Sequence, residues 1–386
     1  MPSSESNHRD APRFPLRSYQ PLRFLYWLGY KTWILARVPF WLVRLATFPR
    51  PHASKKWTLF KTLVAWIGRE ESELFARLGI TEELSLEPGE DEFKVIAPGA
   101  LTLYTGPLHH PDVQPAPIGI TWFPPAKPIP GAADLVVLHL HGGAFVWGSG
   151  RAKQMRFLAD TLLTEAGVTS IYAPQYRLSG YGGQNPFPAA LQDSLTSYLY
   201  LLNTLNLPPE NIIISGDSAG GTLAISLIRY IEEFGPQLGI SRPLGAVFVS
   251  PWVNPGSALG PTALATFKSN PHWATDYMPF EMCAWAARVY TALVPVEHPY
   301  ITALGHPFSG KVPMLLTIGE AEVLEVECTA WVKEMQAMAG NRVEVYYEDA
   351  APHDTLLLGG DTGWAESAKD VARSIGAWAT KAMEVQ

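Results

Sequence analysis

The sequence has only two cysteines, Cys283 and Cys328, among 386 residues. They show no metal-ligand spacing and cannot build a disulfide framework. A disulfide-stapled secreted fold is therefore excluded, and both read as small buried side chains. Acidic residues are missing from one whole region: between Ala11 and Arg69 there is no Asp or Glu, against eleven Lys and Arg. The chain as a whole carries a net charge of −7, so the remainder is strongly acidic. This asymmetry points the basic end toward a membrane surface or another polyanion. No helix-turn-helix, zinc or RNA-binding signature accompanies the charge, which sets nucleic acid aside. No uncharged apolar run approaches the ~18 residues of a spanning helix, and the N-terminus lacks the apolar core of a cleavable signal peptide. Internal repeats and low-complexity tracts are also missing. With 47% apolar and only 17% charged residues, the chain can bury a sizeable core, which excludes wholesale disorder.

Three regions follow from the patterning. Residues 1–17 are polar and Pro/Ser-containing and read as a disordered tail. Residues 18–90 read as basic, aromatic helices that cap the rest or anchor it at a membrane interface. Pro21 to Phe48 is dense in Trp, Tyr, Phe and Leu, broken by Arg23, Lys31, Arg37 and Arg44. On a helical wheel these four cations fall within about 140° of one another, as suits a helix lying in an interface, with Pro39 expected to kink or split it. The location this implies is intracellular and membrane-associated, the endoplasmic reticulum being one such membrane. Residues 91–386 read as a catalytic α/β domain. Apolar strands are legible at Leu135–Leu140, Ser170–Ala173, Ile212–Ser215, Ala246–Val249, Met314–Ile318 and Val343–Tyr346. Helical stretches at Ala189–Leu205, Leu223–Glu233 and Cys328–Ala339 lie between them. The alternation predicts a mostly parallel, doubly wound sheet with ligands beyond the carboxyl ends of its strands. A Pro-, Trp- and Tyr-rich segment near 252–310 reads as a cap-like insertion arching over that end.

The chemistry concentrates at those strand ends. IIISGDSAGGTL, residues 212–223, is G-x-S-x-G between a buried strand and a helix. Such a turn strains the serine backbone and tolerates only small neighbours, a role for Gly216 and Gly220. It thrusts the Ser218 hydroxyl out at a helix N-terminus, where developing negative charge is favoured. Upstream, LHLHGGAFVWGSG offers Gly142, Gly143 and Ala144, whose amides no side chain can block, and Ala219 after the serine adds another N–H. A loop of this kind can aim several donors at one oxygen. His139 and His141 read as structural there. Downstream, VEVYYEDAAPHDTLLL supplies His353 after the last strand, where the order nucleophile–acid–histidine requires a base. The orienting acid should follow the strand MLLTI, where Glu320, Glu322 and Glu325 compete. Arg177 reads as scaffold paired to Asp193, and Asp217 as a loop-fixing residue.

The set HGGAFVWGS, YRL with PFPAALQDSL, GDSAGGTLA, GEAEVL and PHDTLLL resembles the hormone-sensitive-lipase group of α/β-hydrolases, in pattern the fungal esterases and steryl acetyl hydrolases, over Asp134 to Ala379. The resemblance implies an α/β-hydrolase fold with a helical cap and a carboxylic ester hydrolase with a Ser-His-Glu triad. Ser218 would be nucleophile, His353 base, and Gly142, Gly143 and Ala219 the oxyanion donors. The family's acid usually stands as Asp in D-P-L, which corresponds to Glu322 in Glu322-Val323-Leu324. Glu for Asp, Ala144 for a third Gly and Thr222 for Asn are departures. The implied substrate is a short-acyl, acetyl-type ester of a hydrophobic alcohol such as a sterol or secondary metabolite, and no metal or organic cofactor is implied. Two rivals remain: a same-fold acyltransferase, lactonase or condensation enzyme, and a non-enzymatic small-molecule binder, as in the plant gibberellin receptors that lack the histidine.

Overall fold

The computed structural model of the protein describes residues 13–48, 56–89, 92–125 and 134–384. The expectation of a disordered tail falls, for residues 1–12, outside the described residues. Within residues 13–17, Phe14 packs its ring 5.4 Å from Tyr181, and Leu16–Ser18 forms a 3-10 turn.

Two helices open the described chain, α1 (Leu22–Thr47) and α2 (Leu59–Leu78). The side chain of Thr58 caps α2 by accepting from Lys61 N at 3.2 Å, and Gly79 ends it at φ +61°, a left-handed position that suits glycine. Pro39 does not split α1, contrary to expectation: one helix runs through it. Proline withdraws a donor only from the carbonyl of Leu35, a residue on the outward side of the helix.

The sheet and its helices follow: β1 (Phe93–Ile96), β2 (Ile118–Phe123), β3 (Val136–Leu140), α3 (Ala152–Glu165), β4 (Ser170–Gln175), α4 (Ala189–Asn203), β5 (Ile212–Asp217), α5 (Ser218–Leu238) and β6 (Gly245–Val249). After α6 (Ala263–Ser269) and α7 (Phe280–Tyr290) come β7 (Met314–Gly319), α8 (Glu325–Ala337), β8 (Val343–Glu348), α9 (Thr355–Thr362) and α10 (Ala365–Glu384). The eight strands form one sheet in the order β1-β2-β4-β3-β5-β6-β7-β8. β2 is antiparallel to its neighbours β1 and β4, and every pairing from β4 through β3 to β8 is parallel.

The central strands β3, β5, β6 and β7 are buried at every position because both faces are covered. Leu138, Ile214, Phe248 and Leu316 enter the core on one face, while Val137, Ile213, Val247 and Leu315 enter the core on the other. α5 packs on the first face through Leu223 and Leu227; α3 and α10 pack on the second through Leu158 and Ile375. The segment 252–310 contributes α6 and α7, and α7 meets α2, with Phe75 set edge-on to Trp285 at 5.7 Å.

Candidate active site

Strand register decides which loops become neighbours. Leu140 pairs with Gly216, so the Gly142–Ala144 loop and the Ser218 turn leave the sheet side by side. Asp217 pairs with Val249, which sets Ser250 beside them. Gly319 pairs with Glu348, so Glu322 and His353 lie on adjacent loops. This is the end of the sheet where β4 and β5 flank β3 on opposite sides, the crevice where doubly wound sheets bind ligands.

Ser218 is the first residue of α5 and holds φ at +51°. The turn closes because its glycines touch backbone directly. A Cβ on Gly216 would collide with the Gly220 carbonyl oxygen, and one on Gly220 with that of Leu140. Strained backbone recurs around this point: Ala144 (φ +53°), Phe145 (+64°), Ser250 (+45°) and Asp354 (+50°) are all left-handed without being glycine. Such positions cost about 1–3 kcal/mol each and persist only where the surroundings hold them.

His353 Nδ1 lies 3.1 Å from Glu322 Oε2, and both side chains are buried. Of the competing glutamates, Glu320 instead accepts from the Ala350 amide at 3.2 Å, and Glu325 accepts from the Thr329 hydroxyl at 3.0 Å. Burial disfavours each charge taken alone. It pulls His353 below the ordinary histidine value, an effect opposed by the carboxyls of Asp276 and Asp354. It pushes Glu322 well above the usual carboxylate range, opposed by hydrogen bonding from the Ser250 hydroxyl and the Asp354 amide. A proton arriving on His353 would thus find its stabilising partner already in contact.

The loop before Ser218 divides its amides between two surroundings. Gly143 and Ala144 border a cavity of about 480 Å³ together with Ser218 and His353. Gly142 does not border it: a Cβ there would run into the Asp217 carboxylate. Ala219, directly after Ser218, is fully buried in the first turn of α5, where main-chain N–H groups have no partner within the helix. Scaffold contacts fix the loop from behind. His141 Nδ1 reaches the Gly142 carbonyl at 2.8 Å, its ring stacks on Tyr176 at 4.1 Å, and the Tyr176 hydroxyl donates to the His141 carbonyl at 2.7 Å. His139 Nε2 meets Asp217 Oδ1 at 2.8 Å, and Arg177 Nη2 meets Asp193 Oδ1 at 2.8 Å.

Three participants had escaped the reading of the sequence. Asp276, from the insertion, is buried and accepts from the Val323 amide at 2.7 Å, anchoring the loop that carries Glu322. Its signal was faint: it is the first acidic residue after Pro251 in a stretch of Pro, Trp and Tyr. Tyr277 donates to the His353 carbonyl at 2.9 Å, which ties the insertion to the histidine loop. Asp354 stands beside Asp217; burial raises Asp217 to about 6 and Asp354 well above its ordinary value, with the Asp217 charge adding to the rise of Asp354, so the Ser218 turn and the His353 loop meet through two buried carboxyls. Position alone could not reveal these contacts, because each joins segments far apart in the chain.

The remaining cavity wall is mostly apolar, with Glu71, Ser72 and Thr362 as its polar members. Val64 and Phe75 come from α2, Trp147 and Trp252 from strand-end loops, and Met278 and Met282 from the insertion. Cys283 also borders it, and both cysteines are buried free thiols. Among the described residues, no group of three or more His, Cys, Asp or Glu is arranged to hold a metal ion.

Fold and site geometry together define the class. The chain belongs to the α/β-hydrolase fold family, whose profile matches residues 137–357. An acetyl-hydrolase of Streptomyces hygroscopicus is 29% identical over 194 residues, covering 50% of this chain and 59% of that protein. An ethyl acetate hydrolase of Pseudomonas putida is 27% identical over 242 residues, 61% of this chain and 70% of that protein. The chain thus spans about three fifths of the length of the first of these relatives. A hormone-sensitive lipase from a metagenome library, 23% identical, superposes with a TM-score of 0.56 over 81% of this chain and 91% of its own, a likeness of fold.

Proposed function

We propose that the protein is a serine hydrolase of carboxylic esters. The observation that carries this reading is a strained serine at a helix N-terminus and a buried His353–Glu322 pair bordering one apolar cavity. In this reading Ser218 Oγ attacks the ester carbonyl while His353 Nε2 takes its proton. Glu322 holds the Nδ1–H and balances the imidazolium. The carbonyl oxygen, now negative, accepts from main-chain amides. Gly143 and Ala144, which border the cavity, and Ala219, directly after Ser218, are the donors this geometry favours over Gly142, which does not border the cavity. Each such donor is worth about 3 kcal/mol in the transition state. The proton passes from His353 to the departing alcohol, and water, deprotonated by the same imidazole, releases the acid from Ser218.

The apolar wall suits a hydrophobic alcohol, such as a sterol or a secondary metabolite. A short acyl group is favoured by the names of the two relatives, one an acetyl-hydrolase and the other an ethyl acetate hydrolase. The test is pre-steady-state hydrolysis of p-nitrophenyl acetate. Native protein should release a stoichiometric burst of nitrophenolate, and Ser218→Ala should abolish it and lower turnover by about 10⁴-fold or more. Well-folded native protein that shows neither burst nor turnover would refute the reading.

A further inference from the structure

α1 is oriented opposite to what its composition suggests. A basic stripe on an aromatic helix would ordinarily turn to water or lipid headgroups, with the apolar side packed on the protein. Here the central cations face inward. Arg37 Nη1 pairs with Glu70 at 2.6 Å, Lys31 pairs with Glu71, and Tyr30 donates to Glu70 at 3.0 Å, all three acceptors being carboxylates of α2. Arg37 is also sandwiched beside Trp33 and Trp41, at 4.1 and 4.7 Å from their rings. Only Ile34 and Leu45 of this helix are buried.

The outward side therefore carries no charge along the whole helix. Leu25, Leu28, Leu35, Phe40 and Val43 lie on it, with Leu35, Phe40 and Val43 at 70%, 75% and 63% exposure. Twenty-six residues make a face about 39 Å long. Contiguous apolar surface on this scale is rare on a soluble monomer and marks an interaction site. The exposed Trp33 and Arg44 lie along one margin of it, and no acidic residue occurs anywhere in α1. An apolar face bordered by the Trp33 indole and the Arg44 guanidinium matches a bilayer interface, where the ring sits at headgroup level and the cation meets lipid phosphates. Among the described residues no helix is long and apolar enough to cross a membrane.

We infer that α1 docks the protein on a lipid leaflet by its uncharged outer face, lying in the plane of the membrane. α2 then forms the shared wall between leaflet and cavity. One side of α2 holds α1 through Glu70 and Glu71, and Val64, Gly68 and Phe75 of the same helix line the cavity that Ser218 opens into. Glu71 belongs to both surfaces. A lipid-dissolved ester would reach the cavity across one helix diameter, without passing through bulk water.

The test is co-sedimentation of the full chain with extruded phosphatidylcholine vesicles, with and without 30 mol % phosphatidylserine. Native protein should pellet with both and severalfold more tightly with the anionic mixture. The double variant Leu35→Glu/Val43→Glu should lose at least tenfold in partitioning, and Phe40→Ser should lose less. All three side chains are solvent-exposed and far from the cavity wall, so both variants should keep native hydrolysis of a water-soluble ester and a native melting curve. Sedimentation requires no turnover, so its failure is distinguishable from failure of the esterase reading. The inference is overturned if native protein stays in the supernatant, or if the double variant pellets as native protein does. It is likewise overturned if light scattering reveals a dimer that the double variant dissociates, since a second copy would then cover the face.

Discussion

The Ser218 turn and the outer face of α1 each break an ordinary rule of protein structure, and they do so differently. Around Ser218 the rule broken is local: five non-glycine residues near one point adopt left-handed backbone. Everything that enforces this lies inside the molecule, in glycines packed on carbonyls and the contacts of His139, His141 and Tyr176. Along α1 the rule broken is burial, and no described part of the chain covers the exposed apolar side. Strain held from within marks a place where geometry must not vary. Exposure with nothing over it marks a place whose partner is another phase or molecule. The two regions should accordingly differ in their sensitivity to substitution.

The sharpest contrast is expected at the histidine's partner. Glu322→Gln removes the charge that balances imidazolium and allows the wrong imidazole tautomer, so kcat should fall about 10⁴-fold at neutral pH. Glu320→Gln, whose carboxylate serves only the Ala350 amide, should stay within severalfold of native. A larger loss at Glu320 would reassign the acid and undo the account of the site.

A smaller, graded effect concerns pH. The base must be neutral to act, and burial places His353 below the ordinary value of 6.5. The rise of kcat/KM with pH should therefore have its midpoint below 6.5, with a plateau above. Asp276→Asn deletes a carboxyl that raises His353, so the midpoint should shift lower still. A native midpoint above 6.5 would contradict the burial argument.

The smallest change is expected at the joint between α1 and α2. Lys31 and Glu71 are one-third or more exposed, so Glu71→Gln should cost under about 1 kcal/mol of stability, read as a shift of a few degrees in Tm at most. Vesicle partitioning should hardly change, because the pair faces away from the lipid side. A collapse of partitioning in Glu71→Gln would mean that orientation of α1, and not its outer face, governs docking.

Much of the fold was legible in the chain. The six strands stand within two residues of the expected bounds: the central ones, buried on both faces, read as mostly apolar runs, and the edge strand β8 reads from the alternation Val343, Glu344, Val345. The helix after Ser218 begins earlier than periodicity suggested, at Ser218 itself and not at Leu223, since its small first residues carry no apolar stripe. The unbroken passage of α1 through Pro39 was not legible: proline's effect depends on whether the carbonyl it leaves free is exposed or buried. Gly142 illustrates the same limit, since only packing shows that it stands behind the cavity that Gly143 and Ala144 border.

What the sequence determined by itself is the order of parts: oxyanion loop, serine turn, carboxylate loop, histidine loop, each at a strand end. Those signals are local, set by turn chemistry and strand composition over a few residues, and survive without knowledge of any distant contact. The resemblance to D-P-L singled out Glu322; tertiary structure alone decided how it reaches His353, which loop residues border the cavity and which side of α1 faces out. Each of these depends on the register between remote strands, such as Gly319 against Glu348, or on the rotation of one helix about its own axis. A rotation of half a turn would bury the apolar face of α1 and expose its cations with no change in sequence. The carboxylates Glu70 and Glu71 of α2 supply the physical reason it stands as it does.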